Sequence, residues 1–251
     1  MHPFAFKVDP CLQKKLGLII LQSDETIENE FRKIIPHDCT FYHARIPSAP
    51  EVTPQTLAQM EYHLPATARL LPSSSPFDVI GYACTSGATI IGPNKIQSIL
   101  KSVHPHALIC EPISALSSAL QSILAHRIGF VSPYIEQVSK KLRDHLTKQG
   151  FEINHFISFD QKDEHIVAHI CEEDTLEAVK QAAKSNVDSV FISCTNLRSF
   201  NIIKKAEKII SKPVISSNSA LAWDMFKKAN LDLNHAKHHL GTIFDNPTLK
   251  A

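Results

Sequence analysis

The chain has 251 residues, 43% of them hydrophobic, with 26 Lys and Arg against 25 Asp and Glu and a net charge of +1. This composition is that of an ordinary globular protein, and it gives no electrostatic reason to expect nucleic acid or an anionic membrane as a partner. The first apolar run, Leu16 to Leu21, is shorter than the core of a signal peptide, and no run approaches the roughly 18–20 residues of a membrane helix. Six cysteines without a CxxC pair favour a reducing compartment, so we expect a cytoplasmic protein.

Short apolar runs rich in Val and Ile alternate along the chain with longer segments of helical spacing. In chain order the runs are LGLIIL, CTFYHARI, FDVIGYAC, HALIC, RIGFVS, FEINHFI, VDSVFISC and KPVIS. This alternation is typical of βαβ units, and it predicts an α/β protein with parallel strands.

The runs repeat as two sets of four. From Gly17 the second run begins 22 residues on and a Cys closes the third run 67 residues on, and from Gly129 the corresponding offsets are 22 and 65. We therefore predict an internal duplication into two pseudo-symmetric Rossmann-like halves, each with a four-stranded parallel sheet flanked by helices. The predicted first half is 1–114 plus 219–251, and the second is 115–218. The active site is expected in the cleft between them, because open α/β sheets bind ligands at the carboxyl ends of their strands.

The two Cys-Thr turns are the candidate catalytic elements. Cys84 and Cys194 each close a predicted strand, where we expect a helix to begin at once and its free N–H groups to favour the thiolate. A buried, inert thiol is the commoner fate of a single Cys, but equivalent positions in a repeat favour chemistry. Two thiols on opposite faces of a planar carbon can add to it, remove a proton or supply one. The residues that follow offer donors suited to a substrate carboxylate: Thr85, Ser86, Thr195 and Asn196.

The sequence predicts neither a cofactor nor a metal. With only seven Gly, it contains no GxGxxG or GxxxxGK[ST] loop. Its fourteen His include clusters at 104–106 and 235–239, but neither cluster has Cys or acidic partners at a recognisable ligand spacing.

The segments GYACTSGATIIGP and VFISCTNLRS, with LGLIILQSDETIENEF and GFVSPY, resemble the aspartate/glutamate racemase superfamily. The resemblance runs over nearly the whole chain and is to the branch that holds maleate cis-trans isomerases and arylmalonate decarboxylases. It implies that Cys84 attacks a double bond, that Cys194 donates a proton and that Tyr134 hydrogen-bonds the substrate. It also implies a small carboxylate substrate and, by analogy, a homodimer. The decarboxylases keep only the second Cys, so Cys84 argues against that activity.

Two positions depart from the maleate isomerase pattern. Asp24 stands where that family has an Asn after the first strand, and FDQKDEHIVAHI offers Asp163 and Glu164 where a second substrate-contacting Asn is expected. An ionised Asp repels a bound carboxylate but suits an ammonium group, and racemases of the superfamily also carry an Asp near this point. Asp24 is therefore a candidate substrate-binding residue, although with Thr26 it equally suits a cap of the first helix.

Several functions remain open at this stage. We expect a cofactor-independent isomerase similar to the maleate isomerases. The alternatives are an amino-acid racemase with Cys84 and Cys194 as opposed acid and base, an arylmalonate-type decarboxylase, and a non-catalytic ligand-binding protein. The segment 45–54, with three Pro, is either a lid over the cleft or a rigid connector.

Overall fold

The fold is described from a computed structural model, over residues 3–8, 13–74, 76–184 and 186–245. The strands are β1 (Lys14–Leu21), β2 (Cys39–Ile46), β3 (Val79–Ala83), β4 (Leu108–Cys110), β5 (Arg127–Tyr134), β6 (Glu152–Gln161), β7 (Ser189–Ile192) and β8 (Val214–Ser216). The helices are α1 (Ile27–Phe31), α2 (Pro54–Ala68), α3 (Thr85–Ile91), α4 (Pro93–Val103), α5 (Pro112–Ser122), α6 (Glu136–Lys148), α7 (Glu164–His169), α8 (Glu172–Ala182), α9 (Phe200–Ile210), α10 (Ser217–Lys228) and α11 (Asn234–Leu240). A short 3-10 helix, Thr242–Phe244, follows α11.

The strands form two four-stranded parallel sheets with the same topology, in the orders β2-β1-β3-β4 and β6-β5-β7-β8. Each of the eight apolar runs coincides with one strand, so the predicted duplication and fold class are confirmed. The inner strands β3 and β7 are buried at every position, because helices cover parallel sheets on both faces.

The position of the cleft follows from this strand order. In the first half β2 lies on one side of β1 and β3 lies on the other, and β6 and β7 flank β5 in the same way in the second half. Where the strand order reverses in this way, a crevice opens at the carboxyl ends of the two central strands. Asp24 and Cys84 follow the central strands of the first sheet. Tyr134 ends β5 and Cys194 follows β7, at the matching places of the second sheet.

The carboxyl-terminal helices contact both halves. Helix α10 packs on β3, β4 and α5, and α11 packs on α9. The packing of α10 on β3 and β4 supports assigning part of this segment to the first half, and the domain boundaries at 114 and 218 stay a prediction. Within the described ranges, no helix is both long and apolar enough to cross a membrane.

A buried carboxyl joins α1 to the second half. Glu30 accepts hydrogen bonds from the backbone N–H groups of Ser199, at 2.6 Å, and Phe200, at 2.8 Å, where α9 begins. It also accepts one from Nδ2 of Asn218, at 2.7 Å. The carboxyl thus caps α9, whose own N-cap residue makes no side-chain cap. Burial outweighs these donors and raises the pKa of Glu30 to about 7.

This carboxyl makes stability depend on pH. The pKa of Glu30 is 4.5 in the unfolded chain and about 7 in the folded chain. Between pH 4.5 and pH 7 the folded chain therefore keeps a proton on Glu30 that the unfolded chain has released. The stabilisation is present below pH 4.5 and is lost as the pH rises to about 7. We expect Glu30→Gln to show a smaller fall in the free energy of unfolding over this window, measured by urea unfolding. Equal falls in the two chains would contradict the assignment.

Two equivalent glycines provide a second test of the fold. A Cβ at Gly129 would lie 2.6 Å from the backbone oxygen of Ala182 in α8, whereas a Cβ at Gly17 would meet only side-chain carbons, at 3.1–3.3 Å. Side chains can shift more easily than the backbone of a packed helix. We therefore expect Gly129→Ala to lower the free energy of unfolding by about 1–3 kcal/mol, and by more than Gly17→Ala. Urea unfolding of both variants measures the difference, and equal losses would count against this packing.

Candidate active site

The carboxyl ends of the central strands surround one buried pocket. Each residue that lines it is at most 6% exposed, so the pocket is shielded from water. The lining residues are Leu21, Asp24, Cys84, Thr85, Ser86, Tyr134, Glu164, Cys194, Thr195 and Asn196. All eight side chains singled out from the sequence are thus brought together, and Leu21 and Glu164 are added to them.

Cys84 caps the helix that follows it. Helix α3 begins at Thr85, as expected, and the Cys84 sulfur accepts a hydrogen bond from the Gly87 N–H at 3.2 Å. A Cβ at Gly87 would lie 2.9 Å from this sulfur and 2.7 Å from the Tyr82 hydroxyl. The glycine therefore leaves the space in which the sulfur approaches the helix.

Cys194 has a different setting, and the expectation of a helix directly after it was wrong. Residues 195–199 form a loop, and α9 begins only at Phe200. The Cys194 backbone has φ 101°, a region that costs a residue other than glycine on the order of 1–3 kcal/mol. Two hydrogen bonds hold this turn: the Cys194 N–H donates to Ser217 Oγ at 3.0 Å, and the Asn196 N–H donates to the Cys194 sulfur at 3.2 Å.

Both thiols are less acidic than expected from the sequence. Burial raises the pKa of Cys84 and of Cys194 well above the ordinary value, and the carboxyls of Glu164 and Asp24 raise both further. Hydrogen bonds from the Gly87 and Asn196 N–H groups offset only part of this effect. The expectation of a thiolate-favouring site was therefore wrong for the buried pocket, because removal of water outweighs the helix N–H groups.

The threonine hydroxyls connect the two Cys-Thr turns. Thr85 Oγ1 donates to Ser217 Oγ at 2.7 Å, and the same Ser217 oxygen accepts the Cys194 N–H. Thr195 Oγ1 donates to the Ala83 carbonyl at 3.3 Å. These two hydroxyls therefore tie the two Cys-Thr turns to each other across the pocket.

Glu164 is the pocket residue missing from the sequence-based candidates. Asn196 Nδ2 donates to its Oε2 at 2.7 Å and to its backbone oxygen at 2.9 Å, while Asn196 Oδ1 accepts the Glu25 N–H at 2.8 Å. Burial raises the pKa of Glu164 to about 7. The one sequence signal for this residue was the lack of an Asn in FDQKDEHIVAHI, where the resemblance placed one.

The two oxygens of Asp24 have different environments. Oδ1 accepts the N–H groups of Thr26, at 2.8 Å, and Ile27, at 2.9 Å, where α1 begins. Oδ2 is buried without a hydrogen-bond partner among the described residues. Burial raises the pKa of Asp24, and the Ile27 and Thr26 N–H groups, the nearby Thr195 side chain and the charge of Arg45 offset part of this effect. Asp24 therefore caps α1 through Oδ1, and its Oδ2 is available to a ligand.

Segment 47–53, inside the predicted lid or connector, contacts Glu164 next to the pocket. The Pro50 carbonyl accepts the Glu164 N–H at 3.0 Å, and the Val52 N–H donates to the Lys162 carbonyl at 2.8 Å. Lys162 also pairs with Glu51 at 2.7 Å. The segment thus bridges the two halves above Glu164, and its opening as a lid stays a prediction.

One group of side chains within the described part of the chain could hold a metal ion. Ligand atoms of Glu25, His165 and His169 all lie within 4.8 Å of one another. The group is exposed and does not line the pocket, and His165 Nδ1 already bonds Glu25 Oε1 at 2.9 Å. The pair raises the pKa of His165 and lowers that of Glu25. The side chains of His235, His238 and His239 lie outside the described residues.

Two thiols, a phenol and two carboxyls thus surround a pocket whose lining, as far as the structure describes it, carries no cationic side chain. Groups of these types can add to carbon or move protons at carbon. A family model described as arylmalonate decarboxylase matches residues 16–243. The chain belongs to that family.

Known relatives agree with this placement. The chain is 25% identical to a maleate isomerase of Nocardia farcinica over 230 residues, which cover 87% of this chain and 91% of the relative. A maleate isomerase variant from Pseudomonas putida S16, solved with maleate, superposes with a TM-score of 0.84 at 22% identity, over 93% of this chain and 98% of that one. A Cys-to-Ser variant of a Nocardia farcinica maleate cis-trans isomerase, solved with a covalently bound succinylcysteine intermediate, superposes with a TM-score of 0.77 at 24% identity. The superposition covers 88% of this chain and 94% of that one. The branch of the superfamily inferred from the sequence is confirmed.

Proposed function

We propose that this chain is a cofactor-independent isomerase of the maleate isomerase type, which interconverts the cis and trans forms of a small unsaturated carboxylic acid. The observation that carries the proposal is that Cys84 and Cys194, from equivalent turns of the two halves, line one buried pocket. Family membership and the maleate isomerase relatives support it. The proposal includes a small carboxylate as the binding partner, a cytoplasmic location and a homodimer.

The reaction begins with addition of the Cys84 sulfur to one carbon of the double bond. The electron pair of that bond moves to the neighbouring carbon, where the attached carboxylate stabilises it as an enolate, and the Cys194 thiol protonates this carbon. The resulting thioether rotates about what is now a single bond. Cys194 then takes the proton back, and the electron pair forms the trans double bond as the Cys84 sulfur leaves.

Asp24 is suited to activate Cys84. Because burial raises the pKa of the Cys84 thiol, the proton must pass to a group in the pocket, and Asp24 Oδ2 is an acceptor without a partner. After taking this proton Asp24 is neutral, and its O–H can donate to a substrate carboxylate. This sequence of steps removes the repulsion between Asp24 and a dicarboxylate that the sequence suggested.

Amino-acid racemisation is a second candidate, which a specific observation favours. The unpartnered Oδ2 of Asp24, in a pocket with no cationic lining residue along the described chain, suits a substrate ammonium group. Cys84 and Cys194 would then remove and supply the proton at the α-carbon from opposite faces. Decarboxylation of an arylmalonate gains less support, because it leaves Cys84 without a role.

Proton NMR in D₂O tests these functions directly. We expect the chain to convert maleate to fumarate, and Cys84→Ser and Cys194→Ser each to lower the rate by orders of magnitude, since each thiol makes or breaks a bond in the reaction. Cys39→Ser, at a half-buried thiol away from the pocket, is the matched control. Full activity of Cys84→Ser would exclude the two-thiol mechanism. Deuterium at the α-carbon of aspartate or glutamate, without fumarate formation, would favour the racemase, and no reaction at all would favour a binding protein.

Asp24→Asn separates the two candidate roles of Asp24. The amide oxygen can keep the cap of α1, but it cannot take a proton from Cys84. The maleate isomerase pattern has an Asn here, but in this chain we propose that Asp24 takes the Cys84 proton, so we expect kcat for maleate to fall by about 10²-fold; KM should not rise, because the amide still donates to a carboxylate. Steady-state kinetics measure both constants. Unchanged kcat would contradict the proton-acceptor role, and a raised KM for an amino acid would support the racemase.

A further inference from the structure

Cys194, Tyr134 and Glu164 form a continuous hydrogen-bonded row along one wall of the pocket. The Tyr134 hydroxyl oxygen lies 3.0 Å from the Cys194 sulfur and 2.7 Å from Glu164 Oε1. The three residues come from the turn after β7, the end of β5 and the start of α7. All three are buried, so bulk water does not compete for these bonds.

The other contacts of Glu164 define which oxygen takes part. Asn196 Nδ2 donates to Oε2 at 2.7 Å, which keeps Oε2 an acceptor. Oε1 is then the oxygen that faces Tyr134 and that can carry a proton. A phenol has one hydrogen, so the row has two arrangements. With Glu164 ionised, Tyr134 donates to Oε1 and accepts from the Cys194 S–H; with Glu164 protonated, Glu164 donates to Tyr134, and Tyr134 donates to the Cys194 sulfur.

We propose that Glu164 exchanges a proton with Cys194 through the hydroxyl of Tyr134, and so sets the protonation state of the Cys194 thiol. This inference rests on the proposed function for its place in the reaction. When Cys194 gives its proton to the substrate carbon, the sulfur takes the Tyr134 hydrogen and Tyr134 takes the hydrogen of Glu164. In the reverse step the three transfers run backwards, and no proton is gained or lost over the cycle.

The surroundings of Glu164 suit this exchange. The acidic groups that act on Glu164 are Asp24, Asp163, Cys84 and Cys194. Glu51 of segment 47–53 lines a small adjoining cavity together with Glu164. Burial and the neighbouring carboxyls raise the pKa of Glu164 to about 7, so both of its forms are populated near neutral pH. Its negative charge in turn raises the pKa of Cys194. Ionisation of the carboxyl therefore makes ionisation of the thiol harder, and a protonated carboxyl can return a proton to the thiolate.

A double-mutant cycle on the Cys194 thiol tests the exchange without any substrate. The parent is Cys84→Ser, and Glu164→Gln, Tyr134→Phe and both together are added to it. Alkylation of Cys194 by iodoacetamide is followed across pH by mass spectrometry of its peptide, with circular dichroism to verify the fold. Asp163→Asn is the matched control, because it removes an exposed neighbouring carboxylate that is not in the row.

We expect Glu164→Gln to lower the pKa of the Cys194 thiol, since it removes a charge and turns the Tyr134 hydrogen toward the sulfur. The rate near neutral pH should rise at least about tenfold. The same substitution should have an effect about tenfold smaller in the Tyr134→Phe chain, which lacks the hydrogen bond to the thiolate. Asp163→Asn removes a weaker and exposed influence on Glu164, so it should shift the profile much less than Glu164→Gln does.

Three results would overturn the proposal: a pH profile unaffected by Glu164→Gln, an equal effect of Glu164→Gln with and without the Tyr134 hydroxyl, or an equal effect of Asp163→Asn. Because thiol reactivity is read without turnover, these results are independent of whether maleate is the substrate. Failure to form fumarate would count against the proposed function alone.

Discussion

Exclusion of water from the pocket between the two Cys-Thr turns controls the chemistry of this protein. Burial raises the pKa of both thiols, of Tyr134, and of the carboxyls of Asp24 and Glu164. The described lining carries no cationic side chain, and the charge of Arg45, which lies outside the lining, offsets only part of the effect of burial on the pKa of Asp24. In the proposed mechanism the groups share their protons, and each thiol becomes reactive when a neighbouring carboxyl accepts or returns a proton. The substrate carboxylate enters a site that supplies hydrogen bonds rather than positive charge.

The duplicated fold explains why two thiols meet in this pocket, and the differences between the halves explain why their roles differ. Cys84 caps α3, so its sulfur lies beside the N–H groups of a helix that can stabilise an attacking thiolate. Cys194 lies in a strained turn before a loop, and its sulfur contacts Tyr134 instead. These two settings fit the proposed roles, a nucleophile at one turn and proton transfer at the other, although both turns share the same Cys-Thr pattern.

Much of the fold could be predicted from the sequence because buried parallel strands leave a local signal. The spacing of the apolar runs gave the two sheets, and the repeated Cys-Thr pairs located the turns that face each other. Glu164 was not predicted as a site residue because its position depends on how the start of α7 crosses to the cleft, which is a long-range contact. The acidity of the thiols was misjudged for a similar reason. Local helix geometry is visible in a sequence, whereas burial and the carboxyls that approach from other elements are not.

The central claim is that Cys84 forms a bond to a substrate carbon while Cys194 handles the proton. The most direct measurement is the mass of the Cys194→Ser chain after incubation with maleate, followed by identification of the modified peptide. We expect Cys84 to gain the mass of one maleate as a thioether, and a chain that carries Cys84→Ser in addition to gain nothing. An unmodified Cys84, in a protein whose unsubstituted form converts maleate to fumarate, would contradict the account.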